Sequence, residues 1–301
     1  MRDITPKFET HRTAEASAVV RTSDDFNALL IASKADKGDA LEIARVAGIM
    51  AAKKTWETIP FCHPIPITHA GVSYKVTADT IEVRATCTTI AATGCEVEAM
   101  TAASIAALTI YDMLKPHSKN VSIADIHLVS KTGGKSDYLR SVDPPAHVSI
   151  LVTSNAVVAG KKKDKAGRIV RERLDASASA IVDNYDVIGD DFRTIVDHIR
   201  GYIDAGAELV LTVGGTGLVH SDVTVEAVMS LMDREVPGIM EAARSYGQKR
   251  TPAAMISRGL AAMVGKTLVI TMPGSTGGAR ETMDALFPTV LRVVEGQRRS
   301  K

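Results

Sequence analysis

Residues 37–69 read KGDALEIARVAGIMAAKKTWETIPFCHPIPITH, and this stretch decides how the first half of the chain is built. Asp39 is placed to cap a helix, with Glu42 three residues on to close a capping box. Leu41, Ile43, Ala44, Val46, Ala47 and Ile49 then supply packing residues for a helix over 37–59. Arg45, Gly48 and Ala52 share one stripe, with Lys53 about a quarter turn away. Pro60 forbids continuation, so Cys62 and His63 fall in a rigid turn at the helix exit. A row of cations (Lys37, Arg45, Lys53) near a positioned imidazole suits a polyanionic substrate that also needs a proton moved.

Upstream, a polar segment leads into one strand near Val19, and 24–35 reads as a short helix. Downstream, residues 70–90 alternate as a hairpin. Val72, Tyr74 and Val76 share a face, and Ile81, Val83, Ala85 and Cys87 repeat the period. Residues 96–115, EVEAMTAASIAALTIYDMLK, form a long helix whose small side chains demand close packing. Its charges are out of place unless paired or used. Glu96 and Glu98 either complement the helix dipole or serve a site; Asp112 and Lys115, spaced i, i+3, are either a surface ion pair or site groups. His63 alone reads more readily as a structural histidine. Residues 121–129 are a strand. Lys131 and Lys135 flank two glycines in a cationic loop, either solvated or clamping a phosphate. Locally paired strands with helices between them predict an antiparallel α+β sandwich.

A length of 301 residues favours two domains, and 45% hydrophobic content gives each a core. The net charge of +1 gives no global field for nucleic acid, and 4% aromatic content argues against base-stacking platforms. Any anion binding must be local. Three cysteines (Cys62, Cys87, Cys95) form neither a disulfide framework nor a CxxC zinc site, which points to a reducing, cytoplasmic setting. The N-terminus carries no apolar signal core, and no apolar run approaches the length of a membrane span. Small molecules are the expected partners, with no nucleic acid and no membrane.

KGDALEIARVAGIMAAKKTWETIPFCHPIPIT, GCEVEAMTAASIAALTIYDMLK and KTGGKS, in that order, resemble the MoaC-type cyclic pyranopterin monophosphate synthases of molybdenum cofactor biosynthesis; so does the opening MRDITPKFETHRTAEASA. The resemblance covers about 1–140. It implies a ferredoxin-like α+β fold and a homo-oligomer, a hexamer in the family, with sites at subunit interfaces. The reaction implied is rearrangement of 3′,8-cyclo-GTP to cyclic pyranopterin monophosphate with release of pyrophosphate. Position by position it implies catalytic roles for Lys37, His63, Glu96, Glu98, Asp112 and Lys115. Arg45, Lys53, Cys62, Lys131 and Lys135 would bind substrate. A lysine near a buried carboxylate could act as acid or base if desolvation lowers its pKa. Asp137 stands where a glycine is usual, an extra anion beside the phosphate loop.

Asp143-Pro144-Pro145 is a stiff connector that separates domains at 1–143 and 146–301. Beyond it, continuous apolar strands at 147–153, 208–213 and 266–272 and a strand at 184–188 alternate with helices at 167–182, 192–205, 223–232, 238–246 and 279–294. That pattern predicts a parallel sheet covered on both faces, a three-layer α/β domain. The run 161–165 (KKKDK) reads as a solvated loop. Ligands of such sheets bind at the carboxyl ends of the strands. Those ends carry Ser154-Asn155, Asp190, the loop Gly214-Gly215-Thr216-Gly217 with Asp222, and Pro273-Gly274-Ser275. Two glycine-rich loops leading to helices can cradle phosphates on backbone N–H groups, and Asp190 and Asp222 beside them could hold magnesium.

VLTVGGTGLVHSDVT, VPGIMEAAR, TPAAMISRG and GKTLVITMPGS resemble the MogA/MoaB family of molybdopterin-binding proteins, over about 146–296. The resemblance implies a commonly trimeric domain that transfers adenylate from Mg-ATP to molybdopterin, with Mg2+ as cofactor and ATP as co-substrate. It places Asp190, Gly214, Gly215, Thr216, Gly217, Asp222, Pro273, Gly274 and Ser275 at that site. Two departures are visible: Asn155 replaces an aspartate, and Ser221 replaces an arginine. The chain therefore reads as a bifunctional cofactor-biosynthesis protein. The alternatives for the second half are a non-catalytic pterin-binding or scaffolding module and a nucleotide sensor.

Overall fold

In the computed structural model, which describes residues 1–134 and 142–299, the Lys-Gly-Asp turn separates two helices rather than opening one. Helix α1 (Phe26–Asp36) ends with the Lys37 N–H donating to the Ser33 carbonyl at 2.8 Å. Gly38 takes φ +101°, a left-handed conformation that a side chain would strain. Asp39 then caps α2 (Ala40–Lys53), accepting from the Leu41 and Glu42 N–H groups. Glu42 does not complete the capping box; its carboxylate pairs with Arg45 at 3.1 Å. The expected helix over 37–59 is therefore α2 followed by the single turn α3 (Thr55–Thr58), and Lys37 belongs to the element before it.

The chain falls into two units, Met1–Tyr138 and Leu139–Lys301. In the first, β1 (Thr10–Arg21), β2 (His69–Val76), β3 (Thr80–Ala91) and β4 (Ser122–Gly133) form an antiparallel sheet in the order β2-β3-β1-β4. With α4 (Glu96–Leu114) between β3 and β4, this is the ferredoxin-like arrangement expected. Helix α2 buries Ala40, Ala44, Gly48 and Ala52, and α4 buries Ala99, Ala102, Ala103, Ala106 and Ala107. Small residues let the two helices meet closely: a Cβ on Gly48 would lie 2.9 Å from the Ala102 carbonyl oxygen. Contrary to the sequence expectation, α4, 19 residues long with an 18-residue stretch of mean hydropathy 1.3, is by length and composition apolar enough to cross a membrane. Its alanine face nevertheless joins one core with β1 and β3, through Ala16, Ala18, Val83 and Ala85. Strand β4 also runs further than expected, so Lys131 is a strand residue opposite Ala14 rather than part of a loop. Lys135 and Asp137 lie outside the described residues.

In the second unit, β5 (Ala146–Thr153), β6 (Ala180–Ile188), β7 (Leu209–Val213) and β10 (Thr267–Met272) are parallel; β9 (Ala261–Val264) and β8 (Arg234–Glu235) add an antiparallel edge, in the order β6-β5-β7-β10-β9-β8. The helices are α5 (Asn155–Val158), α6 (Ala166–Asp175), α7 (Phe192–Asp204), α8 (Thr224–Leu231), α9 (Pro237–Gln248), α10 (Thr276–Leu286) and α11 (Arg292–Arg299). Strand alternation feeds both faces. Leu209, Leu211 and Val213 join a core with α6, α9 and α10, while Val210 joins another with α7 and α8. This is the three-layer architecture expected, with the antiparallel edge as a correction. Two helix boundaries also differ. The helix expected over 167–182 stops at Asp175, and β6 takes up the chain from Ala180. The helix expected over 279–294 is broken at Pro288, which has no N–H to continue it.

Candidate functional site

Lys37, Asp112 and Lys115 meet at the C-terminal end of α4. The Lys115 ammonium lies 2.6 Å from the Asp112 carboxylate; that of Lys37 lies 3.8 Å from it and donates to the Asp112 carbonyl at 3.2 Å. The Gly38 turn delivers Lys37 to this spot. Asp112 is 55% exposed rather than buried, as the sequence had suggested. The Lys115 hydrogen bond, and then the charges of Lys115 and Lys37, hold the Asp112 carboxyl below its ordinary range, and Asp112 in turn raises Lys115. Within one chain, then, Lys115 is held protonated, the opposite of a desolvated base.

A second cluster forms at the other end of α4. Pro60 and the turn after α3 place the Cys62 thiol 3.4 Å from Glu98 Oε1. Glu98 is 3% exposed and its Oε2 has no partner. Burial pushes its carboxyl up, and pushes the Cys62 thiol up to about 11, too high for a ready nucleophile. Burial also opposes ionisation of Glu96, but its own backbone N–H, Lys131 at 3.0 Å and Arg12 together hold it below the ordinary value. One carboxyl is thus raised and the other lowered within a single helical turn, the kind of split that separates acid from base roles. His63 bonds the Arg2 carbonyl through Nε2 at 2.9 Å.

The expected row of cations does not gather at His63. Arg45 turns to β2, donating to the Val72 carbonyl at 2.7 Å and lying over the Tyr74 ring, while Lys53 ends α2 exposed to solvent. Asp112 and Glu98, 14 positions apart on one helix, are separated by about 21 Å at 1.5 Å per residue. Arg12 was not singled out from the sequence. Its guanidinium holds the Ala91 and Ala92 carbonyls and reaches beneath Gly134. Nothing in the local pattern of β1 distinguishes it.

In the second unit the strand ends converge on one cleft of ≈ 500 Å³, lined by Asp190, Gly214, Gly215, Thr216, Gly217, Asp222, Pro273, Gly274 and Ser275. The two glycine loops touch, since a Cβ on Gly274 would stand 3.1 Å from the Gly214 Cα. Gly214 and Gly215 have φ +117° and +61° and lie against Thr153 and Thr224, which leaves no room for side chains. Ser275 caps α10, accepting from the Gly278 N–H at 3.1 Å. Asn155 and Asp190 exchange backbone bonds: the Asn155 N–H donates to Asp190 Oδ2 at 2.9 Å, and the Asp190 N–H to Asn155 Oδ1 at 3.1 Å. The Asp222 carboxylate accepts from the Val219 N–H at 3.2 Å.

Two features escaped the sequence reading. Arg258 clamps the glycine loop, donating to the Gly217 carbonyl at 2.7 Å and the Asp222 carbonyl at 2.8 Å while pairing with Glu226. Lys162, Lys163 and Lys165 are exposed as expected of a solvated run, yet they line the cleft wall.

Comparison with known proteins matches residues 1–134 to the MoaC family and residues 149–292 to a probable molybdopterin binding domain. A molybdenum cofactor biosynthesis bifunctional protein of Chlorobaculum tepidum is 36% identical over 96% of this chain and 92% of that one. The chain belongs to this bifunctional molybdenum cofactor biosynthesis family. A cyclic pyranopterin monophosphate synthase of Listeria monocytogenes is 49% identical over 45% of this chain and 86% of that one. The solved structure of a molybdopterin biosynthesis protein from Mycobacterium abscessus is 34% identical, covers 52% of this chain and 99% of that one, and has a TM-score of 0.50. Membership in the family thus spans both units, and the two clusters on α4 and the glycine-loop cleft fall within the matched segments.

Proposed function

We propose that the first unit converts 3′,8-cyclo-GTP to cyclic pyranopterin monophosphate with release of pyrophosphate, and that the second binds molybdopterin and adenylylates it with Mg-ATP. The domains carrying these steps would span 1–143 and 146–301. The observation that carries the second assignment is the meeting of both glycine loops, the α10 N-terminus and two carboxylates in one cleft. Backbone N–H groups would bind phosphate oxygens there, and an oxygen of the molybdopterin phosphate would attack the α-phosphorus of ATP as pyrophosphate leaves. Magnesium is usually bound by one or two carboxylates together with substrate phosphates. Asp190 and Asp222 fit that role, and no group of three or more His, Cys, Asp or Glu placed for a metal occurs among the described residues. The test supplies the full chain with molybdopterin and Mg-ATP and runs Asp222→Asn beside it. Adenylylated molybdopterin that disappears in the variant supports the assignment.

Asn155 favours a second reading. It takes the place of a carboxylate while keeping the bond to Asp190, so the cleft retains its shape with one acid fewer. A wild-type chain that binds molybdopterin but forms no adenylylated product would make this half a binding module.

For the first unit, Lys37, Asp112 and Lys115 would handle protons and phosphates at one end of α4; Glu96, Glu98 and His63, with Cys62 and Lys131 beside them, would serve at the other. A gap of about 21 Å along a rigid helix is too wide for one small substrate. The site would therefore form between copies in a homo-oligomer, each giving one end of its α4. The exposed apolar groove over α2 and α4, lined by Met50, Ile59, Val97, Met100 and Ile105, gives such copies a surface to bury.

A further inference from the structure

The glycine-loop cleft has a cationic wall. Among its charged lining residues are three lysines, Lys162, Lys163 and Lys165, and three aspartates, Asp164, Asp190 and Asp222. The aspartates are all engaged: Asp190 and Asp222 as above, and Asp164 with the Gly167 N–H at 2.9 Å and the Tyr185 hydroxyl. No ion pair engages the three lysines among the described residues. Their loop is pinned at both ends. The Lys161 and Lys162 N–H groups both donate to the Ala156 carbonyl, at 2.9 and 3.1 Å, and Asp164 ties the far end to α6 and β6. The lysine stems thus start from a fixed backbone at the edge of the glycine-loop cleft. The nearby Arg258 guanidinium is committed elsewhere, through three of its five N–H groups, to the Gly217 and Asp222 carbonyls and the Glu226 carboxylate.

We propose that Lys162, Lys163 and Lys165 bind the polyphosphate of a nucleoside triphosphate, in place of the arginine that the family resemblance leads one to expect at Ser221. This rests on the adenylylation reading above. With Asp190 and Asp222 neutralised by magnesium, the three free ammonium groups face the remaining negative charge of the β- and γ-phosphates. Lysine serves such a site as a flexible point charge, whereas the glycine loops fix geometry through the backbone. The wall therefore distinguishes triphosphates from monophosphates by charge rather than by shape.

The test measures binding of Mg-ATP, inorganic triphosphate and AMP to the full chain at low and high salt. Beside the wild type run the double variants Lys162→Ala/Lys163→Ala and Lys162→Arg/Lys163→Arg. The alanine pair is expected to weaken Mg-ATP and triphosphate by about tenfold, with AMP changed less than about twofold and the salt dependence flattened. The arginine pair should keep wild-type affinity. An alanine pair that binds Mg-ATP and triphosphate as the wild type does overturns the lysine assignment and leaves the adenylylation reading standing. An equal loss for AMP overturns it as well, by showing a structural effect. A wild type that binds neither Mg-ATP nor triphosphate overturns both.

Discussion

Glu98 is a carboxyl that the fold disfavours in its charged form. Burial raises its pKa above the ordinary value, so the sign of its contribution follows. Below its unfolded-state pKa the group is protonated in both states and costs nothing. As pH rises through the raised folded-state pKa, the buried anion must be borne and stability is lost. Glu98→Gln is therefore expected to raise the urea midpoint at pH 7 while abolishing pterin formation, with the stability gain vanishing near pH 4. A midpoint that is unchanged at pH 7 would show that burial does not raise the Glu98 carboxyl. At this scale the sequence marked Glu96, Glu98, Asp112 and Lys115, because charges on a small, apolar helix are conspicuous, and Lys37, because it opens the Lys-Gly-Asp stretch and its row of cations. It did not mark Arg12 or Arg258. Their work is done on backbone carbonyls distant in the chain, and no local pattern announces that.

The packing of α2 on α4 depends on the absence of side chains at the crossing. Gly48 has the Ala102 carbonyl oxygen at 2.9 Å and the Ala106 Cβ at 3.2 Å from where its own Cβ would stand, with Val72 at 3.0 Å on the sheet side. Backbone cannot yield there, so Gly48→Val is expected to cost about 1–3 kcal/mol, read as a lower urea midpoint at unchanged slope. Full stability in that variant would mean that the helices are free to separate. Element type was legible wherever one period dominated, as in α4, the β2–β3 hairpin and the continuous strands β5, β7 and β10. Boundaries failed where a turn device was undervalued. The left-handed Gly38 starts a new helix, Pro288 ends α10, and Gly265 at φ +59° turns β9 back onto β10 to make the antiparallel edge.

At the scale of the molecule, the decisive length is that of α4. If the pyranopterin site forms between copies, two inactive variants should complement. Lys37→Ala disables one end and Glu98→Gln the other. Mixing them under conditions that exchange subunits is expected to restore measurable conversion of 3′,8-cyclo-GTP, because some interfaces then combine two intact ends. Mixtures as inactive as either parent, with exchange verified, would place the whole site in one chain. The sequence by itself determined the class of each half, most of its long helices and strands and the candidate site residues. Those depend on periodicity, breakers and short motifs, which are local. Only the tertiary structure decided which of those residues meet. It joined Lys37 to Asp112, parted both from His63, and laid a lysine run that looked merely solvated along the glycine-loop cleft. Such pairings depend on helix length, register and loop anchoring between residues far apart in the chain; so do the burial that raises the Glu98 carboxyl and the Asp112 hydrogen bond that raises Lys115.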